Sequence, residues 1–142
     1  MSEMQSYGSG ATRSSDEDKL DYEGFLSPSA LQVYAEYLHS HRKQADGKFR
    51  DSDNWQNGVP PDRWMKSLLR HAMDTWLLHR GHEVCDRNDG HLVTLPEALC
   101  ATIFNAFGYL HVLSEMEPYI DFACTLMATE ATIDSANREL AA

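Results

Sequence analysis

Several groups of residues in this chain have the types and the spacing to do chemistry. "SLLRHAMD" places Ser67, Arg70, His71 and Asp74 on adjoining positions of a helix, away from its main apolar stripe. Arg70 lies four residues and His71 three residues from Asp74, so either can pair with it. The arginine could hold a phosphate, while the imidazole and the carboxylate could face a metal ion or a water. The ordinary alternative is a solvated helix face with an ion pair, which is the commoner arrangement and a weak one.

A second group lies in "LPEALCATIFNAFGYLHVL", which is apolar on nearly every helical face yet carries Glu97, Asn105 and His111. A helix apolar all round is normally buried, and a buried amide needs partners. Asn105 is therefore bonded to the fold or to a ligand, and both readings stand. Glu97 has a structural role available, because Thr94-Leu-Pro-Glu97 has capping-box form. Eight positions separate Glu97 from Asn105, which puts them within about 80° of each other around a helix. The small residues Ala101 and Gly108 lie along the same line and let another helix or a ligand come close.

Trp55, with Asn54 in "SDNWQNG", is the large aromatic of a polar loop. It could stack on a base or plug the core beneath the loop, and the plug is the commoner use. The seven histidines do not fall at metal-binding helical spacing, and no Cys/His cluster has finger spacing. No GxSxG, P-loop or GxGxxG is present.

These groups need elements to position them. The 142 residues, 42% hydrophobic, suffice for one domain with one core. Residues 1–19 are rich in Ser, Gly and charge and read as a flexible or extended arm. Ser27-Pro28 opens a first helix, with Leu31, Tyr34, Ala35 and Leu38 at helical spacing, expected to end near Ala45–Gly47. Lys48–Asp62 is dense in turn residues. A second helix covers about Asp62–His79, a polar loop follows, and Thr94 opens a third. A fourth is expected after Pro118, with Ile120, Ala123, Leu126, Met127 and Ile133 suitably spaced. The expectation is an all-α helical bundle of about four helices with an N-terminal arm. Residues 20–113 form its body, and 114–142 add a C-terminal helix packed on the domain or in an oligomer.

The net charge of −10 and the lack of a basic block argue against duplex nucleic acid. No apolar run is long and uncharged enough to span a bilayer, and the first residues do not have the pattern of a secretory signal. Three cysteines without CxxC spacing fit free thiols in a reducing cytoplasm.

The pieces "SGATRSSDEDKLDYEGFLSP", "DSDNWQNGVP", "SLLRH" and "EALCATIFN" occur in one order between Ser9 and His111. This order resembles a phage-associated family, the N-terminal domain of dATP/dGTP diphosphohydrolases. Its pattern is a G-A-x-R…G-K arm, an N-W-x-x-G loop, an R-H helix and then D-H-x-x-A-x-x-x-N. The family is related to MazG-like all-α pyrophosphohydrolases, which cut a nucleoside triphosphate to monophosphate and pyrophosphate with Mg²⁺. Gly10, Ala11, Arg13 and Lys19 match the arm, and Asn54, Trp55 and Gly58 match the loop. Arg70 and His71 match the helix pair, and Glu97 and Asn105 match the acid and amide. Three positions depart from the pattern. Glu97 replaces Asp, Ala98 stands where the family has His, and Asp18 stands where it has Gly before the lysine.

The resemblance implies a MazG-like fold and a metal-dependent pyrophosphohydrolase acting on a purine deoxynucleoside triphosphate in a phage-infected host cytoplasm. It implies His71, Asp74 and Glu97 as catalytic residues, with Asp74 and Glu97 holding Mg²⁺ or Mn²⁺. Arg13, Lys19, Asn54, Trp55, Arg70 and Asn105 would contact substrate. It also implies a homo-oligomer. Ala98 opens two alternatives: a phage protein that binds and sequesters a nucleotide without turnover, and a small interaction protein without a ligand. No ExxE pair occurs between Leu20 and Leu113, so which carboxylates form a metal cage is left open.

Overall fold

The computed structural model describes residues 4–14 and 19–116. The chain divides into two units between His41 and Arg42. The described elements are mostly helical, with one small two-stranded sheet among them. The helix expected after Pro118 lies outside the described residues.

In the first unit, strands β1 (Met4–Ser6) and β2 (Thr12–Ser14) pair antiparallel, with Arg13 opposite Gln5. The turn between them closes on Tyr7, whose carbonyl accepts from the Gly10 N–H at 2.8 Å. Gly10 has φ +83°, a left-handed conformation that glycine adopts at no steric cost. Part of the region read as an arm is therefore a hairpin. Without an apolar alternation, its strands could not be seen in the sequence. Lys19 is exposed and precedes α1 (Tyr22–Phe25), a single turn capped by Asp21.

Helix α2 (Pro28–Ser40) starts as the sequence requires, with the Ser27 hydroxyl accepting from the Ala30 N–H and proline in the first turn. It ends at Ser40, about one and a half to two turns earlier than expected. The Ser40 hydroxyl donates to the Tyr37 carbonyl at 2.7 Å, and His41 Nδ1 lies 2.8 Å from the same oxygen. The same carbonyl takes the last helical bond, from the His41 N–H at 3.2 Å, so backbone and side-chain donors meet where the helix stops.

In the second unit, residues 42–50 form a tight hairpin bridged at Lys43 and Phe49. A short 3-10 turn at Asn54–Gln56 follows. Helix α3 (Pro61–His79) and helix α4 (Leu95–Ser114) then pack against each other. They run antiparallel. Trp64, near the start of α3, lies against Gly108, near the end of α4, while Thr75 and Thr102 bring their hydroxyls to 3.2 Å further along. Ala98, Ala101, Asn105 and Gly108 are the buried positions on one face of α4. Their small size lets the helices approach, and Trp64 fills the remaining space, 3% exposed and edge-on to Phe104 at 5.4 Å.

The capping box at the start of α4 is complete. Thr94 Oγ1 accepts from the Glu97 N–H at 3.4 Å, and Glu97 Oε2 accepts from the Thr94 N–H at 2.7 Å. Thr94→Ala is expected to cost about 1 kcal/mol of stability. Glu97→Gln should cost less, because glutamine also serves at this position. Chemical denaturation of the two variants measures both, and a Thr94→Ala variant as stable as the parent would refute the role of the cap.

Candidate functional site

Of the site candidates on α3, His71 lies beside Asp74 and Arg70 does not pair with it. The Asp74 side chain is buried, and a buried carboxylate is costly unless paired. The partner is Arg87, from the loop joining α3 to α4. Its Nη2 donates to Oδ1 at 3.1 Å and its Nη1 to Oδ2 at 3.3 Å, a two-point grip that suits guanidinium and carboxylate geometry. Arg70 is not the partner of Asp74. It turns the other way along the helix and donates from Nη2 to the Ser67 hydroxyl at 2.9 Å.

His71 lies beside this pair, with Nδ1 3.8 Å from Asp74 Oδ2. Burial holds its pKa below the ordinary histidine value of 6.5. Asp74 opposes that shift, and Arg70 and Arg87 add to it. The neutral imidazole is thus the resting form at neutral pH. The folded chain resists a proton that the unfolded chain accepts. Stability should therefore be unaffected by His71 well above pH 6.5, fall as pH drops through 6.5, and level off below the lowered value. Melting temperatures of the parent and of His71→Gln across pH 5 to 8 test this. Parallel pH curves for the two proteins would show that His71 contributes no such dependence.

The loop between the helices carries chemistry that the sequence reading passed over as polar. Residues 85–92 form a hairpin: Cys85 bridges Leu92, and the Asp86 N–H donates to the His91 carbonyl at 2.8 Å. Asp86 Oδ1 accepts from the backbone N–H groups of Asn88 at 2.7 Å and Asp89 at 3.3 Å. The Asn88 N–H chiefly holds the Asp86 carboxyl below its usual range. His91 Nδ1 lies 2.7 Å from Asp89 Oδ1, which raises the imidazole's pKa. The signal for this turn was the string Asp-Arg-Asn-Asp-Gly, where an aspartate bonds its own backbone two residues on and glycine takes φ +76°.

Glu97 is held by several partners. Besides the Thr94 N–H, Oε2 accepts from the Thr94 hydroxyl at 2.8 Å, and Oε1 lies 3.5 Å from His91 Nε2. The Thr94 N–H is the main cause of its lowered pKa. Asn105, buried on the same face as Ala101, donates from Nδ2 to the Ala101 carbonyl at 2.7 Å. That bond supplies the fold reading of this amide. Trp55 is half-buried and meets His111 of α4 edge-on at 4.9 Å, as a plug would; Asn54 beside it is exposed. Arg13 and Lys19 belong to the first unit.

The donor set does not fit Mg²⁺ on Asp74 and Glu97. Both Asp74 oxygens accept from Arg87, and both Glu97 oxygens face the cap or His91. Among the described residues, the group of three or more metal-type side chains is Asp86, Asp89 and His91, and neither nominated carboxylate belongs to it. Ala98, where the resembled family has histidine, is 1% exposed in the α3–α4 contact and serves as packing. No described helix is long and apolar enough to cross a membrane. Comparison with protein-family models, with curated proteins and with solved structures finds no match for the chain.

Proposed function

We propose that this chain binds the phosphates of a purine deoxynucleoside triphosphate on the cationic side of α3. The observation that carries the reading is the Arg70–His71–Asp74–Arg87 arrangement. A buried carboxylate fixes Arg87 in place, and exposed Arg70, donating to the Ser67 hydroxyl, stands one turn from Asp74. Two guanidinium groups on one side of a helix suit an oligophosphate, which accepts from planar donors at two points. The ordered motifs from Ser9 to His111 supply the nucleotide, and with it a MazG-like bundle and a homo-oligomer. Trp55 and Asn54 would meet the base or sugar. The roles of Arg13 and Lys19 rest on the resemblance alone.

The second reading is hydrolysis to the monophosphate and pyrophosphate with Mg²⁺ or Mn²⁺. What favours it is His71, neutral and beside a carboxylate, which is the pairing a general base requires. No step through a metal ion is drawn, because Asp74 and Glu97 are engaged elsewhere. Binding is therefore placed ahead of turnover.

The test is calorimetry with each dNTP and NTP, with and without Mg²⁺ or Mn²⁺, beside chromatographic resolution of products. Binding of dATP or dGTP that falls at least tenfold in Arg70→Ala, with the fold intact, is the expected result. No binding, or equal affinity in the variant, overturns the reading. Release of pyrophosphate promotes the hydrolase.

A further inference from the structure

The sequence holds two short basic runs, Arg42 with Lys43 and Lys48 with Arg50, separated by residues 44–47. The hairpin at the start of the second unit lays them side by side. Gly47, at φ +81°, donates its N–H to the Gln44 carbonyl at 2.9 Å and closes the turn. The Gln44 N–H donates to the Lys48 carbonyl at 2.8 Å, and the Arg50 N–H to the Arg42 carbonyl at 2.9 Å. Lys43 stands opposite Phe49, so Gln44 stands opposite Lys48 and Arg42 opposite Arg50. Successive side chains of a strand point to opposite faces. One side of the hairpin therefore carries Arg42, Gln44, Lys48 and Arg50, and the other carries Lys43 and Phe49.

By itself this arrangement costs stability. Like charges directly opposite each other on paired strands repel, and the Cα atoms of such a pair lie about 5.5 Å apart. Among the described residues no carboxylate pairs with either arginine. Asp46 pairs with Lys48 at 3.8 Å, but both side chains are exposed and such a pair is weak. The chain has 22 acidic residues and a net charge of −10, yet residues 42–50 hold four cations and one acid. Arg42 is also held ready. Its Nε donates across the hairpin to the Arg50 carbonyl at 2.8 Å, which fixes the guanidinium there and leaves the Nη donors for an acceptor.

We propose that the side of this hairpin bearing Arg42, Lys48 and Arg50 binds an oligophosphate anion. Two planar guanidinium groups from facing strands grip phosphate oxygens at two points each. Lys48, roughly 7 Å along the strand from Arg50, adds a point charge. An acidic peptide fits less well, because carboxylates on one side of an extended chain recur only every second residue, about 7 Å apart. Linked phosphates put several charges and many acceptor oxygens on one short stretch. A single nucleic-acid strand fits less well too. The exposed aromatic, Phe49, stands on the side away from the arginines, so backbone and base cannot be held together as such binding requires. The oligophosphate is either free or part of a nucleotide. The assignment does not rest on the nucleotide reading of α3.

The test is calorimetry of the full chain with inorganic tripolyphosphate in an Arg70→Ala background, which disables the α3 arrangement and keeps the two readings apart. Arg42→Gln and Arg50→Gln are each expected to weaken binding there by about fivefold or more, roughly one charge-assisted hydrogen bond apiece. Lys43→Gln removes the same charge from the opposite side of the same hairpin and should change affinity by less than about twofold. Equal losses from Arg50→Gln and Lys43→Gln would mean attraction by net charge alone and would overturn the site. Absence of tripolyphosphate binding would overturn it as well. Tetraglutamate bound as tightly as tripolyphosphate would overturn the ligand class. A dATP arm in the same background separates the sources. Tighter binding of dATP assigns the site to nucleotide phosphates, weaker binding assigns it to a free oligophosphate, and both support the site. Where Arg42→Gln unfolds the hairpin by losing the Nε bond, Arg50→Gln decides. The Arg50 side chain is exposed, and its backbone makes the hairpin's bonds.

Discussion

Placing a methyl group on Gly108 will destabilise the α3–α4 pair, although alanine is the better helix former. Alanine gains about 1 kcal/mol over glycine in a helix interior. At Gly108 a Cβ would come within 2.5 Å of two Trp64 ring atoms and 2.7 Å of a third. The ring is 3% exposed and edge-on to Phe104, so it has nowhere to move. Overpacking of this kind costs about 1–3 kcal/mol, which outweighs the helix gain at its upper end. Gly108→Val should cost more, because a branched side chain adds atoms where the first already collides. Trp64→Ala removes the ring and should cost about 3–5 kcal/mol. Gly108→Ala with Trp64→Ala should then lose less than the two changes added separately, since the clash partner is gone. Chemical denaturation of the four proteins measures this cycle. A higher midpoint for Gly108→Ala alone would mean that the two helices are not this close.

The second large effect is asymmetric between two partners of one ion pair. Arg87→Ala leaves Asp74 buried without its cation, the costly way to break such a pair. The full cost for a buried pair is about 3–5 kcal/mol. The Arg87 side chain is 60% exposed, so water reaches the pair, and about 1–3 kcal/mol is expected. Asp74→Asn should cost less. The released guanidinium returns to water, and the amide oxygen can still accept one of its N–H groups. Arg87→Ala should also free the 85–92 hairpin, so that the Asp86 and Val93 amides, which bond across it, exchange faster. Equal stability losses from the two variants would refute the buried-carboxylate account.

The sequence announced these helices unevenly. Proline beside a hydroxyl cap opened α2 and α4 in plain view, because both signals are local. The end of α2 was hidden, since it is marked by the Ser40 and His41 side chains turning back to the Tyr37 carbonyl beside its last helical bond, which residue spacing does not reveal. Around the candidate site, the possible pairing of Arg70 with Asp74 was read from helical distance. A residue from another element outcompeted it. Arg87, thirteen positions along the chain from Asp74, arrives only when the loop folds. Glu97 was legible in its capping role because Thr94 and Glu97 stand in the same turn. Asn105 was not legible, because a back-bond to Ala101 and a bond to a ligand leave the same mark in a sequence.

Trp64 Nε1 is buried without a hydrogen-bond partner, and that isolation has an optical consequence. An indole that neither solvent nor a polar group can stabilise in its excited state emits at the blue end of the tryptophan range. Trp76, 57% exposed, emits at the red end. Trp55, half-buried and edge-on to His111, lies between these extremes. The three tryptophans therefore report three different places in the second unit by colour. Separation of the helices, movement of the Asn54–Gln56 turn and a change confined to the surface can each be followed in the unaltered protein, without an added dye.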